Sequence, residues 1–500
     1  MHIIDFIIFL IFTVGTVIFG CSFFKKDATE EDYTTAGRNL PSWLVGMSIL
    51  ATFVSSISYI GYPGKAFASD WNAFVFCLSI PIATVIASRW FVPFYRNSNS
   101  ISAYAFLEER FGRWARLYAS ACYLLTQIAR IGSILYLLAV PMYILMGWNI
   151  HLVILLTGIA IIIYSMMGGI KAVIWTDALQ GFLLIGGALL CVFVILWKLP
   201  NGFSSVIDIA VNAPQGNKFS LGSFSGDITT STFWVCLIYG IFINLQNYGI
   251  DQNYVQRYHT ARTLHEAQRS VWVGGWLLIP VSALFFLIGT LLYAYYQTYP
   301  AQMSDVLLAK PDYVFPYFIV NQLPIGLRGL LISAIFAAGM STVATSITSS
   351  ATIFLTDWWT PYYNNARARK SPIRVLRTSS IIIGIIGVGV AIAMLSTKSI
   401  IDAWWQLSSV FSGGMLGLFL LAMLSRSTRS RHALIATLVG VIVIAWVTLA
   451  EPLNLPFVHP HPYLAIVLGT TAIFVVGFGL TILTSKKKKD KIGDDLEKKQ

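Results

Sequence analysis

Three groups of residues in this chain could hold an ion or a small polar solute, and each lies inside an apolar run. The first is Ser55, Ser56 and Ser58, followed at once by Gly61, Pro63 and Gly64, in the stretch ATFVSSISYIGYPG. Serine side chains compete for backbone hydrogen bonds, and glycine and proline weaken a helical ladder. A helix that stops near Ser55 leaves the carbonyls of Ala51 to Val54 without intrahelical donors. Broken backbone at membrane depth is tolerated where it lines a cavity, and bare carbonyls there are how secondary transporters build a cation site. The competing reading is a kinked helix packed through small residues.

The second group is the hydroxyl-rich stretch AIFAAGMSTVATSITSS. Ser341 and Thr342 follow Ala338 by three and four residues, so the three positions share one helical face. Their two hydroxyls and the Ala338 carbonyl, with the carbonyls of Ala51 and Val54, would supply neutral oxygens only. Such a set suits a hard monovalent cation, sodium by preference, whereas a divalent ion would call for carboxylates. A small-residue packing seam is the alternative use of the same hydroxyls.

The third group is ionisable. Arg130 stands mid-helix in YLLTQIARIGSILYLL with no acidic residue within two turns. Charge inside a membrane is costly and marks function, and the forked guanidinium matches a carboxylate. It reads as a clamp for an anionic substrate, or otherwise as a tether to a neighbouring helix. Asp177, in GGIKAVIWTDALQGF, would support a second cation or cap its region; Asp251 and Arg257 flank a second interrupted segment as gate or interface residues.

The elements that must position these residues are membrane helices. Of the 500 residues, 56% are hydrophobic and 11% charged, against about 25% charged in a soluble domain. Apolar runs of about twenty residues recur along the chain. The expected fold is all-α and polytopic, with about thirteen spans near 3–23, 43–64, 72–95, 117–146, 151–168, 173–198, 231–255, 271–297, 325–356, 373–396, 402–424, 432–449 and 462–484. Assigning alternate loops to opposite sides separates the basic residues: Arg96, Arg110, Arg113, Arg116, Arg257, Arg262, Arg269, Arg426, Arg429, Arg431 and the tail lysines share one side. By the positive-inside rule that side is cytoplasmic, which places the N-terminus outside and the C-terminus inside a multi-pass plasma-membrane protein. The +12 net charge is thereby assigned to topology and not to nucleic acid. The five cysteines all sit in apolar segments without a CxxC pair, no HExxH or P-loop occurs, and no nucleophile constellation suggests an enzyme.

The seventh span, FINLQNYGIDQNYVQRY, is the second interrupted one. It lies five spans after the first, and matching interruptions in two halves point to inverted repeats around a midplane site. The chain then divides into an extra N-terminal helix and loop (1–42), a first repeat (43–198), an outer loop (199–230), a second repeat (231–424), two further helices (425–484) and a lysine-rich disordered tail (485–500). The outer segments 199–230 and 298–324 are the expected caps.

At these residues the chain resembles the sodium/solute symporter family, and within it the sodium-coupled sialic acid branch. The resemblance rests on SWLVGMSILATFVSSISYIG, MMGGIKAVIWTDALQG, the segment Gln252 to Arg257, IFAAGMSTVATS, and a PxKAxxSDW pattern over Pro63–Trp71. It implies a leucine-transporter-type fold of two inverted five-helix repeats and sodium as the sole cofactor. The main sodium site would use Ala51, Val54, Ala338, Ser341 and Thr342; a possible second would use Asp177, Ser341 and Thr345, although Ala344 stands where a further hydroxyl is expected. Substrate contacts would come from Ser55, Ser58, Arg130, Asn244 and Asn247, with Tyr248 at the inner gate. Phe53, Ala73 and Cys77 also fall at substrate-facing positions, and there the chain departs from the branch. The implied function is sodium-driven import of an acidic sugar such as sialic acid by a monomer in the lipid bilayer. A neutral sugar, polyol or amino-acid symporter and a membrane-embedded solute sensor are the alternatives.

Overall fold

The structure is a computed structural model that describes residues 2–23, 34–98, 101–165, 170–304, 307–308, 310–361, 372–397, 399–450 and 459–497. Their regular structure is helical, apart from an isolated backbone bridge between Leu40 and Ala261. The long elements, in chain order, are α1 (Ile3–Cys21), α2 (Ser42–Phe53), α3 (Ile57–Ala68), α4 (Asn72–Asn97), α5 (Arg113–Met146), α6 (Ile150–Ser165), α7 (Ile170–Lys198), α8 (Phe233–Ile250), α9 (Gln252–Thr260), α10 (Leu264–Thr298), α11 (Leu327–Ile353), α12 (Pro372–Ala393), α13 (Ile400–Leu424), α14 (Ser430–Leu449) and α15 (Ala465–Glu497). Without water in a bilayer core each backbone polar group needs a partner within its own segment, so apolar runs become helices.

Eleven helices among the described residues are long and apolar enough to cross a membrane, or twelve with the bent pair α2–α3. The expected count of thirteen is not confirmed by that measure. The fifth expected span is α6, whose apolar stretch Ile150–Ile163 is short; part of its expected end, 166–168, lies outside the described residues. Both segments expected as caps carry helix of their own, Phe203–Val211 and Val314–Gln322. The lysine-rich tail also differs from expectation. Helix α15 continues to Glu497, since lysine and glutamate are good helix formers; 498–500 lie outside the described residues.

The first interruption falls near Ser55, where the serines placed it. Helix α2 ends at Phe53, Val54 adopts φ −78°, ψ 87°, and the chain bends by 56° before α3. Gly61, Pro63 and Gly64 lie within helical structure, where Pro63 sits in the first turn after the wide turn Ile57–Gly61. The second interruption is at Asp251 (φ −75°, ψ 124°), between α8 and α9. Its carboxylate accepts the Asn253 amide at 2.8 Å and so caps α9.

Helix α2 packs on α7 and α10, and α11 packs on α1, α5 and α7. Close approach of α2 and α10 requires glycine: a Cβ on Gly46 would meet Val273 at 2.8 Å, and one on Gly274 would meet Ile49 at 2.6 Å. The start of α11 is fixed from outside its own segment. Gly326 takes φ +91°, and the buried Asp5 of α1 accepts the amides of Gly326 (2.6 Å) and Gly329 (3.2 Å). A carboxylate at a helix N-terminus satisfies otherwise orphaned donors.

Candidate substrate and ion site

Where α2 stops, its last carbonyls divide into two sets. The Val54 amide makes the final helical bond, to Leu50 O at 2.8 Å, and the Ser55 amide turns to Phe53 O at 3.0 Å. Phe53 O also accepts the Ser58 hydroxyl at 3.2 Å, and Thr52 O accepts Nη2 of Arg130. Among the described residues, no backbone amide donates to Ala51 O or Val54 O. Of the four carbonyls expected to be free, Ala51 to Val54, the middle two have thus found other donors and these two remain.

A small cavity, lined by polar and aromatic side chains, opens beside this break. Phe53, Ser55, Ser58, Arg130 and Asn247 line it, as expected. Arg130 lies with its guanidinium carbon 6.0 Å from the Trp404 ring centroid, a cation–π arrangement that offsets part of the cost of burying the charge. Phe76, Tyr239 and Trp405 form an aromatic wall, with Phe76 and Trp405 centroids 5.0 Å apart and Tyr239 and Trp405 5.6 Å apart. Aromatic faces beside convergent polar groups suit a molecule with a ring and several oxygens.

Other expected contacts fall elsewhere. Ala73 and Cys77 are buried in packing and are not among the cavity's lining residues. Asn244 turns away to donate to Phe76 O (3.3 Å) and the Ser79 hydroxyl (2.9 Å). Tyr248 is buried against Tyr254 at 5.1 Å, and its carbonyl accepts the Tyr258 hydroxyl at 2.6 Å. The residues that sequence reading missed are Gln127, Trp404, Trp405, Tyr239 and, as a wall residue, Asp251. Gln127 stands three residues before Arg130 and so shares its face, a signal that was available. The aromatics carried none, because one wall is assembled from α4, α8 and α13.

On α11, the Thr342 hydroxyl donates to Ala338 O at 2.9 Å, which leaves both oxygens with lone pairs. Ser341 donates to Oδ1 of Asp177, so α7 and α11 meet at the expected ion-binding face. Asp177 is neither a lone cation ligand nor a simple cap. Its Oδ2 accepts Ser48 at 2.5 Å and Nη2 of Arg257 at 2.8 Å, and Arg257 reaches Ser48 Oγ at 2.8 Å and Asn253 O at 2.7 Å. Both carboxylate oxygens are thus engaged, because Arg257 folds back from α9 onto α2 and α7. The Thr345 hydroxyl nearby is buried without a partner. No group of three or more His, Cys, Asp or Glu residues that could hold a metal ion occurs among the described residues.

Lys65 pairs with Asp402 at 2.9 Å, Asp402 accepts the Tyr463 hydroxyl at 2.6 Å, and Tyr463 stacks on Tyr239 at 4.9 Å. A cavity beside a broken helix, lined by a buried arginine, hydroxyls and aromatic faces, is the arrangement of a secondary transporter's site.

The comparisons with known proteins agree. A model of the sodium:solute symporter family matches residues 33–440, and the chain belongs to that family. It is 31% identical to the sodium/sialic acid symporter NanT of Aliivibrio fischeri over 479 residues, covering 95% of this chain and 92% of the relative. It is 32% identical to the sodium/sialic acid symporter SiaT of Proteus mirabilis, covering 93% and 92%. A sodium-coupled sialic acid symporter solved in a substrate-bound outward-open state superposes with a TM-score of 0.87 at 30% identity, over 96% of this chain and 98% of that one. Mhp1, a nucleobase-cation-symport-1 family transporter, shares the fold at a TM-score of 0.59 and 15% identity, over 92% and 96%. The fold is of the leucine-transporter type, with two inverted five-helix repeats, and sodium is the coupling ion.

Proposed function

We propose that this protein imports an acidic sugar of the sialic acid type together with sodium, by alternating access. The observation that carries the reading is Arg130, buried in the cavity wall against the broken end of α2 and facing a space flanked by Ser55, Ser58 and tryptophan. A guanidinium there can receive a carboxylate, while the hydroxyls and aromatic faces receive the rest of a sugar. The relatives named for sodium and sialic acid support the same substrate class.

Sodium is cargo and ordering agent at once. The carbonyls of Ala51, Val54 and Ala338 and the hydroxyls of Ser341 and Thr342 would hold it, fixing α2 to α11 and so favouring the substrate-competent state. A second ion would lie by Asp177, Ser341 and Thr345; the unpartnered Thr345 hydroxyl supports that placement. The positive-inside distribution supports a plasma-membrane protein with the N-terminus outside and the C-terminus inside. The Lys65–Asp402 pair then lies on the outer side. The reading also takes the protein as a monomer in lipid, divided at 1–42, 43–198, 199–230, 231–424, 425–484 and 485–500.

Uptake of labelled sialic acid into proteoliposomes under an inward sodium gradient tests it. Accumulation should exceed equilibrium, fall when potassium replaces sodium, and resist competition by neutral sugars. Accumulation of a neutral sugar or polyol in its place would overturn the substrate class, and solute binding without accumulation would make the protein a sensor.

A further inference from the structure

A buried hydrogen-bond donor in the cavity wall has no partner in the protein. Gln127 is wholly buried, lines the cavity one helical turn before Arg130, and its Nε2 donates to nothing among the described residues. Its orientation is fixed by a relay. The Tyr123 hydroxyl donates to Oδ1 of Asn253 at 3.3 Å, which turns the Asn253 amide nitrogen toward Gln127 Oε1 at 3.2 Å. The Gln127 oxygen is therefore committed to Asn253, and its nitrogen is the free end. Buried polar groups are nearly always satisfied, and one left open in a site awaits a ligand.

We infer that Gln127 is a specificity-determining residue, whose side-chain amide donates to an acceptor oxygen on the sugar other than the carboxylate held by Arg130. The inference rests on the acidic-sugar reading of the cavity. Gln127 and Arg130 lie three residues apart on one face of α5, so the two donors face one solute. A site built to hydrogen-bond a substrate oxygen discriminates against analogues lacking it, since its own polar group is then left unpaired. The cavity would thus separate a polyhydroxylated sugar acid from a plain short carboxylate that satisfies Arg130 alone.

The test pairs a protein change with a ligand change. Gln127→Met should raise the KM for sialic acid about tenfold with Vmax within about twofold, and should leave competitive inhibition by propionate and sodium activation unchanged. In the wild type, one deoxy analogue of sialic acid should compete about tenfold less well, and against Gln127→Met that same analogue should show no further loss. An unchanged KM in the variant, or equal shifts for sialic acid, propionate and sodium, would overturn the inference. So would deoxy analogues that all compete as well as the parent, a result readable on the wild type even if the variant does not fold. If wild-type protein takes up no sialic acid, the functional reading and this inference fall together; if it does and the variant matches it, only the inference falls.

Discussion

The guanidinium of Arg257 lies 2.8 Å from the carboxylate of Asp177, and both side chains are 1% exposed. Arg257 belongs to α9, beyond the second break, whereas Asp177 belongs to α7 and also receives Ser341 of α11. One buried pair therefore ties α9 to α7 and, through the Ser341 bond to the same carboxylate, to α11, which carries the expected sodium hydroxyls.

Removing one member leaves the other charged and unpaired. Arg257→Ala should destabilise the purified protein by about 3–5 kcal/mol, read as a lower midpoint in thermal unfolding, and should abolish sodium-driven uptake. Asp177→Asn keeps the shape but can accept at only one of the two oxygen positions, so it leaves either Ser341 or Ser48 without its acceptor, strands the Arg257 charge, and should lower the midpoint as well. An Arg257→Ala variant as stable as wild type would show that the pair does not hold α9 in place.

Arg130→Lys tests the clamp by geometry instead of charge. Lysine keeps the positive charge but loses the fork, and the donor now on Thr52 O cannot be held while a carboxylate is bound. Uptake of the acidic sugar should fall by about tenfold or more, and sodium-induced stabilisation should persist. A variant with wild-type KM would leave Arg130 as a tether only.

Thr342→Val removes one proposed sodium oxygen while conserving shape. The sodium concentration giving half-maximal uptake should rise several-fold with little change in maximal rate. The Hill coefficient for sodium decides the second ion. One sodium moving with an anion carries no net charge, whereas two gain about 2.3 kcal/mol from each 100 mV. A coefficient near two that falls to one in Thr345→Val would place the second ion by Asp177.

Asp312, in a short turn outside the spans, accepts the amide of Ile400 at 2.9 Å. Burial pushes its carboxyl from 3.8 up to about 7; nearby Asp402 adds to the rise, and the Ile400 amide, Lys65 and Lys310 oppose it. The folded value stands above the unfolded one, so docking of this turn is most stable at acid pH and weakens as pH rises through about 7. Hydrogen exchange in Val314–Gln322, corrected for intrinsic rates, should accelerate as pH rises from 3.8 to about 7 and level off above that, and Asp312→Asn should abolish the acceleration. The same pH dependence in Asp312→Asn would sink the assignment.

The sequence alone determined that the chain is a bundle of membrane helices, marked the second and seventh spans as interrupted, and singled out Arg130 as a charge that needs an anion, a cavity or a tether. Those features are local: apolar length, serine competition with the backbone, and the cost of a lone charge act within one segment. The family resemblance supplied the sodium residues, and Ala51 and Val54 are the carbonyls left free because Thr52 and Phe53 find other donors. Tertiary structure decided what depends on contacts across long stretches of chain. It committed Asp177 to Arg257 and Ser48, turned Asn244 toward Ser79, and brought Trp404 over Arg130. It also left Gln127 with a free donor. Each of these outcomes was set by which distant helix lay against which, and no periodicity within a single span records that.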